Sequence, residues 1–290
     1  MKKNIYILFV LLSGILISCN DFLDTMPDDR AEINTVDKVT SLLVSAYPTG
    51  SAQLIAEMSS DNALDNGVLY APYVQEQEDA YLWRDIKTTG NDSPKSIWDK
   101  HYAAAAAANQ ALEAIGEMGD LASLQAQKGE ALIARAYAHF ALANLFCLPY
   151  NPETADSDFG LPYSEKPETQ VIVEYERGTM AELYEKINAD IEAGFPLIND
   201  DIYKVPKYHF NKKAAAAFAA RFNLFYMKYA EAIKYADIAL GAMPEKQLNK
   251  WGEMFRLASN WDVRNDRYIS ASDPGNYLIM PAYSATPYVM

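Results

Sequence analysis

The sequence predicts an all-α protein, built as a superhelix of tetratricopeptide-like helical repeats. Three observations favour this class. Long alanine-rich segments place their apolar residues at helical spacing, one pair of segments has the spacing of a helical repeat, and almost no segment alternates like a strand. Half of the residues are hydrophobic, so the chain can bury one large core or two smaller ones.

The N-terminus is predicted to be a leader that is removed from the mature protein. Two lysines precede an apolar run from Ile5 to Ile17, which is too short to span a bilayer as a helix. The run ends in Leu16-Ile17-Ser18-Cys19, which fits the bacterial lipobox. We therefore expect a lipoprotein signal peptide over residues 1–18 and an acylated, palmitate-type Cys19 that opens a tether over residues 19–38. A plain secretory leader with a chance cysteine is the alternative.

The charge of the chain narrows the possible partners. The formal net charge is −14, and removing the leader deletes two lysines and no acidic residue, which brings it to −16. This charge disfavours nucleic acid as a partner, and it also disfavours peripheral binding to anionic lipid. The acyl chains on Cys19 are therefore the expected attachment to the membrane. With Cys19 acylated, Cys147 has no partner for an intramolecular disulfide, so stability must come from packing.

The predicted helices follow in order along the chain. Residues 39–58 favour a helix that is broken near Pro48-Thr49-Gly50. The clearest helix covers residues 96–117, where Pro94 stands just ahead and an alanine block allows close approach of a neighbour. One face of this helix is traced by Trp98, Tyr102, Ala105, Asn109 and Leu112. The remaining predicted helices cover residues 128–146, 179–198 and, as a pair, 211–242.

The last pair of helices has the residue spacing of a tetratricopeptide repeat. Ala220, Tyr229, Ala232, Ala239 and Pro244 are separated by nine, three, seven and five residues. In such a repeat the small residues let the two helices nest, the tyrosine fills the gap between them, and the proline ends the second helix. A single repeat cannot bury its faces alone, so the earlier helices are expected to stack against it.

Several blocks of sequence occur in an order that is typical of one family. After Cys19 and Asn20 stands Asp21-Phe22-Leu23-Asp24, with Pro27 shortly behind it. Further matching positions are Trp98, Tyr102, Asn109, Glu130, Ala131, Arg135, Ala136, Phe140, Leu142, Phe146, Pro149, Gly160, Leu161, Pro162, Tyr184, Ile187, Asp190, Ala193 and residues 213–224. Over about residues 19–245 the chain resembles the SusD/RagB family of nutrient-binding outer-membrane lipoproteins. Cys147 departs from the pattern, since the family usually has glycine there.

The resemblance implies a function in nutrient capture without catalysis. It implies a lipid-anchored protein of the outer membrane that faces the cell exterior and binds oligosaccharide or polysaccharide. It also implies a SusC-like, TonB-dependent transporter as the partner that receives the glycan for uptake. Two alternatives stay open, a peptide-binding RagB-like lipoprotein and a tetratricopeptide scaffold for protein partners on the membrane.

The end of the chain resembles the start of the second, irregular part that family members carry. Residues 251–290 hold seven aromatic residues without helical periodicity. We therefore expect a SusD-like helical-repeat domain over residues 39–245 and the start of an irregular, aromatic-rich ligand-side region over residues 246–290. The chain is then either a fragment of a longer member or the product of a shortened gene, and we favour the fragment.

Aromatic residues ahead of the first long helix are the candidates for ligand binding. Tyr70, Tyr73, Tyr81 and Trp83 crowd into fourteen residues without amphipathic period. Flat rings can stack on the apolar faces of sugars, although packing in the core is the alternative for each ring. In the resembled family, ligand-stacking aromatics and an asparagine precede this helix, which makes Tyr81, Trp83 and Asn91 positional candidates. Trp83 is the preferred one.

The residues predict no catalytic site, no metal site and no cofactor. His101, His139 and His209 lie too far apart in sequence to suggest a zinc site, and we interpret them as packing or surface residues. The sequence has no nucleophile elbow, P-loop or dinucleotide fingerprint, and its 39 acidic residues are too numerous for a pair of them to indicate glycoside hydrolysis.

A structural calcium ion is the one inorganic ligand that the sequence leaves open. Asp61, Asn62, Asp65 and Asn66 form a cluster of oxygen-bearing side chains. Such residues are more typical of a solvated loop whose side chains cap its own backbone. We therefore predict a loop here and keep calcium as the alternative.

Overall fold

The computed structural model describes residues 32–67, 72–119, 121–168, 170, 173–257 and 261–286. The chain divides into two units, Met1–Thr35 and Val36–Met290, and the fold that follows is that of the second unit. The predicted signal peptide and Cys19 lie outside the described residues, so their assignment stays a prediction.

The described part of the second unit is helical and contains no strand. An isolated antiparallel bridge joins Phe159 and Thr179. The α-helices are α1 (Val36–Leu43), α2 (Gln53–Met58), α3 (Gln75–Tyr81), α4 (Pro94–Glu117), α5 (Gln125–Phe146), α6 (Met180–Gly194), α7 (Lys212–Phe225), α8 (Tyr229–Leu240), α9 (Trp251–Leu257) and α10 (Trp261–Tyr268). The prediction of an all-α protein is confirmed.

Two of the long helices, α4 and α6, begin at side chains that cap their free N–H groups. Ser93 accepts a hydrogen bond from Ser96 N at the start of α4, with Pro94 in the first turn. Thr179 and Glu182 form a reciprocal capping box at the start of α6. These caps fix the helix starts close to the positions that the sequence predicts.

The central helices α4, α5 and α6 pack side by side because small residues line their contacts. Ala104 and Ala105 of α4 form a buried cluster with Ala138 of α5. At the crossing of α5 and α6, a Cβ added to Gly129 would lie 2.8 Å from Gly194 O. The two backbones therefore approach too closely for any residue larger than glycine at this point.

Aromatic side chains fill the space where α5, α6 and α7 meet. The ring centroids of Phe140 and Phe222 are 5.6 Å apart, and those of Tyr184 and Phe222 are 5.4 Å apart. Tyr184 and Phe222 are fully buried. Edge-on and tilted rings at these distances add attraction to the burial of their area. This aromatic core joins the predicted repeat pair to the earlier helices.

A buried polar network fastens the loop before α6 to the helices. The Arg135 guanidinium donates two hydrogen bonds of 2.7 Å to the Asp190 carboxylate, and Tyr163 OH donates to Asp190 Oδ2 at 2.5 Å. His139 Nε2 accepts from Ser164 N at 3.1 Å. Since every charged group here has a partner, burial of the ion pair leaves no uncompensated charge.

The tetratricopeptide prediction is correct for the nested helices and wrong for the tyrosine. Ala232 and Ala239 are buried, as predicted, but Tyr229 is 59% exposed and does not fill a gap. Tyr229 is the first residue of α8 and α7 ends at Phe225, so Tyr229 stands at the turn between the two helices rather than within their contact. The helix ends at Leu240 before Gly241 (φ +67°), so Gly241 rather than Pro244 stops it.

Residues 251–257 and 261–268 are more regular than the sequence pattern predicts. They form α9 and α10, whose aromatic residues Trp251 and Tyr268 place their ring centroids 5.8 Å apart. Each helix has only two turns, which is too short for a helical period to be recognised in the sequence. The described residues after α10 have no regular structure and run along the surface towards the N-terminal end of α4.

Candidate functional site

A surface groove opens beside the N-terminal end of α4. Its volume is about 390 Å³. The groove lies among three segments that are distant in sequence, namely the start of α3, the loop before α4 and the end of the described chain. Its lining residues are Tyr73, Val74, Glu76, Gly90, Asn91, Asp92, Ala282, Tyr283, Ser284 and Ala285.

The third wall belongs to residues 276–286, which we call the strap. Backbone hydrogen bonds hold the strap to two loops: Ile279 N donates to Lys207 O at 2.8 Å, and Tyr283 N donates to Thr49 O at 3.0 Å. The strap therefore crosses from the loop before α7 to the loop after α1. Its extended backbone satisfies these loop carbonyls without forming a strand.

Asp92 fixes the far end of the strap to the loop before α4. Its side chain accepts from Ser284 Oγ at 2.5 Å and from Ala285 N at 2.8 Å. Asp92 is only 4% exposed, so these two donors replace the water that the carboxylate would otherwise bind. A chain segment from the C-terminal region thus becomes a fixed wall of the groove.

The floor of the groove depends on a buried carboxylate and a glycine. Glu76 Oε1 accepts from Thr88 Oγ1 at 2.6 Å. A Cβ added at Gly90 would overlap the same Glu76 oxygen, so a larger residue at position 90 would displace the Glu76 carboxylate.

Exposed rings and polar groups face the groove together. Tyr73 and Tyr283 are each 63% exposed. Lys100 Nζ lies 5.6 Å from the centroid of the Tyr283 ring and donates to Asn91 Oδ1 at 3.0 Å. The arrangement offers flat apolar faces next to hydrogen-bonding groups, which is the combination that a sugar ring can use.

Trp83 occupies a strained position just after α3. Arg84 N donates to Asp79 O at 2.8 Å and Trp83 N donates to Ala80 O at 3.2 Å, which is the Schellman pattern at a helix end. The pattern places Trp83 in the left-handed region (φ 54°), where glycine is usual, at a cost of about 1–2 kcal/mol. The indole is 80% exposed, so no burial in the core offsets this strain.

The structure brings two of the five predicted ligand-binding residues into the groove. Tyr73 and Asn91 line it, whereas Trp83 lies outside its lining. Tyr81 is half-buried, and its hydroxyl accepts a hydrogen bond from Asp65 N at 3.3 Å. Tyr70 lies outside the described residues.

Sequence reasoning missed the residues that complete the groove. Tyr283 and Asp92 have no local pattern that marks them, because their hydrogen-bond partners lie far away in the sequence. Tyr283 N donates to Thr49 O, and Asp92 accepts from Ser284 and Ala285. The one available signal was the high aromatic content of residues 251–290. It indicated this segment as part of a binding region but did not single out Tyr283. Lys100 is outside the lining but contacts Tyr283 and Asn91, and it carries no signal, since an isolated lysine on a helix is usually a surface residue.

The loop at residues 61–66 uses its polar side chains for its own backbone and neighbours. Asp65 Oδ1 accepts from Gly67 N at 2.7 Å, and Asn62 Nδ2 donates to Glu57 Oε2 at 3.3 Å. Across the part of the chain that the structure describes, no three His, Cys, Asp or Glu side chains are grouped as a metal site would require.

The three histidines have separate roles in packing. His101 is buried and its Nδ1 bonds to Ile97 O at 2.8 Å, and burial lowers its pKa. His139 lies in the Arg135–Asp190 network, where burial lowers its pKa to about 4. His209 contacts the Glu130 carboxylate.

The fold and the groove define a helical-repeat protein with an open, tyrosine-bearing surface site. Over residues 21–224 the chain matches the model of a SusD-like family, described as starch-binding and associating with the outer membrane. The chain belongs to this SusD-like family. A comparison with curated proteins gives no match.

Solved structures share this fold. A SusD superfamily protein from Bacteroides thetaiotaomicron VPI-5482 is 20% identical with a TM-score of 0.59, over 76% of this chain and 49% of that one. A SusD-like carbohydrate binding protein from Bacteroides vulgatus ATCC 8482 is 18% identical with a TM-score of 0.60, over 75% and 47%. A laminarin binding SusD-like protein is 16% identical with a TM-score of 0.55, over 79% and 50%. The chain spans about half the length of these proteins.

Among residues 32–67, 72–119, 121–168, 173–257 and 261–286, no helix combines the length and the apolar character needed to cross a bilayer.

Proposed function

We propose that this protein is a non-enzymatic glycan-binding lipoprotein that captures oligosaccharide or polysaccharide in the groove. The observation that carries the proposal is the pair of exposed rings, Tyr73 and Tyr283, which come from two different segments that line a groove together with Asn91. Membership of a family described as starch-binding supports a carbohydrate as the ligand. The laminarin-binding and carbohydrate-binding proteins of the same fold support it further.

The energetics favour weak and reversible capture. A fully covered aromatic ring buries about 150–250 Å², and a ring stacked on one face gains about 2–3 kcal/mol at about 25 cal/mol per Å². Association itself costs at least about 4 kcal/mol. Two stacks and a few hydrogen bonds of about 1 kcal/mol each therefore give roughly millimolar affinity. A ligand held this weakly can be handed on.

Trp83 is proposed as a further stacking platform for a long glycan chain. It is 80% exposed and held in a strained backbone conformation, and such strain at an exposed ring is a reason to look for function. Trp83 lies outside the groove lining. It would therefore contact sugar units of the polysaccharide other than those that occupy the groove.

Anchoring and hand-over complete the proposal. Cys19 would carry the acyl chains after removal of residues 1–18, which would hold the protein on the outer membrane facing the exterior. A SusC-like, TonB-dependent transporter would receive the glycan. Metabolic labelling with radioactive palmitate tests the anchor, since Cys19→Ala should abolish the label. Protease treatment of intact cells tests the orientation, because a protein that faces the exterior is removed.

Native affinity electrophoresis tests the glycan site directly. The protein should be retarded in gels that contain at least one polysaccharide, and Tyr73→Ala or Tyr283→Ala should reduce the retardation. Tyr229→Ala is the matched control, because Tyr229 is similarly exposed but lies on α8, outside the groove lining. Binding of peptides without retardation by any polysaccharide would instead support the peptide-binding alternative.

A further inference from the structure

A buried carboxylate lies beneath the loops that hold the strap. Glu130 of α5 has no exposed surface. Its Oε1 accepts from Tyr47 OH at 2.5 Å and from His209 Nδ1 at 2.8 Å, and its Oε2 accepts from Tyr203 OH at 2.6 Å. Burial, followed by the charge of Glu130, raises the pKa of both tyrosines well above the usual value. The hydroxyls therefore stay protonated and donate to the carboxylate.

The three partners of Glu130 belong to two separate loops. Tyr47 lies in the loop after α1, and Tyr203 and His209 lie in the loop before α7, where their rings stack with centroids 4.1 Å apart. Tyr47 OH also accepts from Phe210 N at 2.6 Å, which joins one loop to the other. The carboxylate is thus the common acceptor through which α5 holds both loops.

The same two loops supply the carbonyl groups that bind the strap. Thr49, whose carbonyl accepts from Tyr283 N, stands two residues after Tyr47. Lys207, whose carbonyl accepts from Ile279 N, stands between Tyr203 and His209. By contrast, Ala285 N donates to Asp92, whose carboxylate accepts from Ser284 and Ala285 and belongs to the loop before α4.

We propose that Glu130 is a positioning residue for the groove. Its charge orders the loops at Tyr47 and at Tyr203–His209, these loops hold the strap, and the strap places Tyr283 in the groove wall. The part of the inference that concerns ligand affinity rests on the proposed glycan-binding function. The part that concerns the strap does not, because it can be measured without ligand.

Hydrogen exchange of single amides tests the strap part. Glu130→Gln keeps the shape of the side chain but removes its charge and one acceptor. Loss of one charge-assisted hydrogen bond should raise the exchange rates of the Ile279 and Tyr283 amides about tenfold. The Ala285 amide should change much less, because its acceptor is Asp92. Unchanged exchange at Ile279 and Tyr283, or equal acceleration at all three amides, would overturn the inference.

Asp190→Asn is the matched control for general destabilisation. Asp190 is also a buried carboxylate, with Arg135 and Tyr163 as its donors, but its network holds the loop before α6 and not the strap. This variant should lower the unfolding temperature without accelerating exchange at Ile279 and Tyr283. If Glu130→Gln does not fold, Tyr203→Phe removes a single donor and should accelerate Ile279. No acceleration there would count against the inference.

Affinity electrophoresis tests the link from the strap to the ligand. In a gel whose polysaccharide retards the native protein, Glu130→Gln should bind several-fold more weakly, whereas Asp190→Asn should bind as the native protein does. Accelerated strap exchange together with unchanged retardation would refute the role of Glu130 in binding. If no polysaccharide retards the native protein, the proposed function fails, and the exchange measurement still decides whether Glu130 positions the strap.

Discussion

Asp92 and Ala285 are 193 positions apart in the sequence, and the carboxylate of the first accepts the backbone N–H of the second at 2.8 Å. This bond, with the one from Ser284 Oγ, closes the groove at the N-terminal end of α4. The groove is therefore a tertiary feature, because none of the three segments that line it contains the whole site. Its shape depends on how firmly the strap is held at Asp92 and at the loops ordered by Glu130.

Asp92→Ala should loosen the strap and weaken glycan binding. The substitution leaves Ser284 Oγ and Ala285 N without their acceptor, which costs about 1–3 kcal/mol where the groups stay buried. Urea unfolding measures the loss of stability, and exchange of the Ala285 amide measures the release of the strap. Asp99→Ala is the control, since Asp99 forms an exposed pair with Lys95 on α4 and should matter little. Equal effects of the two variants would contradict the assignment.

Trp83→Gly should stabilise the protein while it weakens binding to a long glycan. Glycine adopts the left-handed conformation without strain, so the gain should be about 1 kcal/mol. Met227 is the matched control because it occupies the same position after α7, with φ 60° and the same hydrogen-bond pattern. Met227→Gly should stabilise similarly and leave retardation in polysaccharide gels unchanged. Loss of retardation in both variants, or in neither, would contradict a role of Trp83 in glycan binding.

Gly129→Ala should destabilise the crossing of α5 and α6. The new Cβ would lie 2.8 Å from Gly194 O and 2.8 Å from Leu197 Cβ, so the helices must move apart, at a cost of about 1–3 kcal/mol. Gly116→Ala on α4 tests the opposite case, since nothing lies within 4 Å of its added Cβ. That variant should gain about 0.5–1 kcal/mol from helix propensity. Chemical denaturation of both variants distinguishes packing from propensity.

The sequence is sufficient to predict the helical framework because local rules determine it. The span predicted for α4 is within two residues of the observed helix, since Pro94, the cap at Ser93 and the alanine periodicity all act locally. The exposure of Tyr229 was not predictable in the same way. Repeat spacing describes a helix pair of full length, whereas α7 ends at Phe225, before the position where Tyr229 would need a neighbour.

The candidate site was predictable only in part, for a physical reason. Tyr73 and Asn91 precede α4 in the chain, so the resemblance could point to their region. Tyr283 is held in the groove by the hydrogen bond from its N–H to Thr49 O and by the bond from Ala285 N to Asp92. Contacts between residues so far apart in the chain leave no recognisable spacing in a single sequence. The role of Glu130 is hidden for the same reason, because its partners come from both sides of α5.

The free energy of unfolding should decrease as the pH is lowered from about 6.5 to about 4, because of His139. Burial lowers the pKa of His139 to about 4 in the folded protein, so the unfolded chain binds a proton in this range and the folded chain does not. The decrease in the free energy of unfolding approaches about 1.4 kcal/mol per pH unit for one such histidine. His101, whose pKa burial also lowers, adds to it in the same direction. Urea unfolding across this range should therefore show a shallower slope for His139→Gln, which cannot titrate, than for the native protein. Parallel stability curves for the two proteins would show that His139 is not the group responsible, and the matching variant His101→Gln would then carry the test.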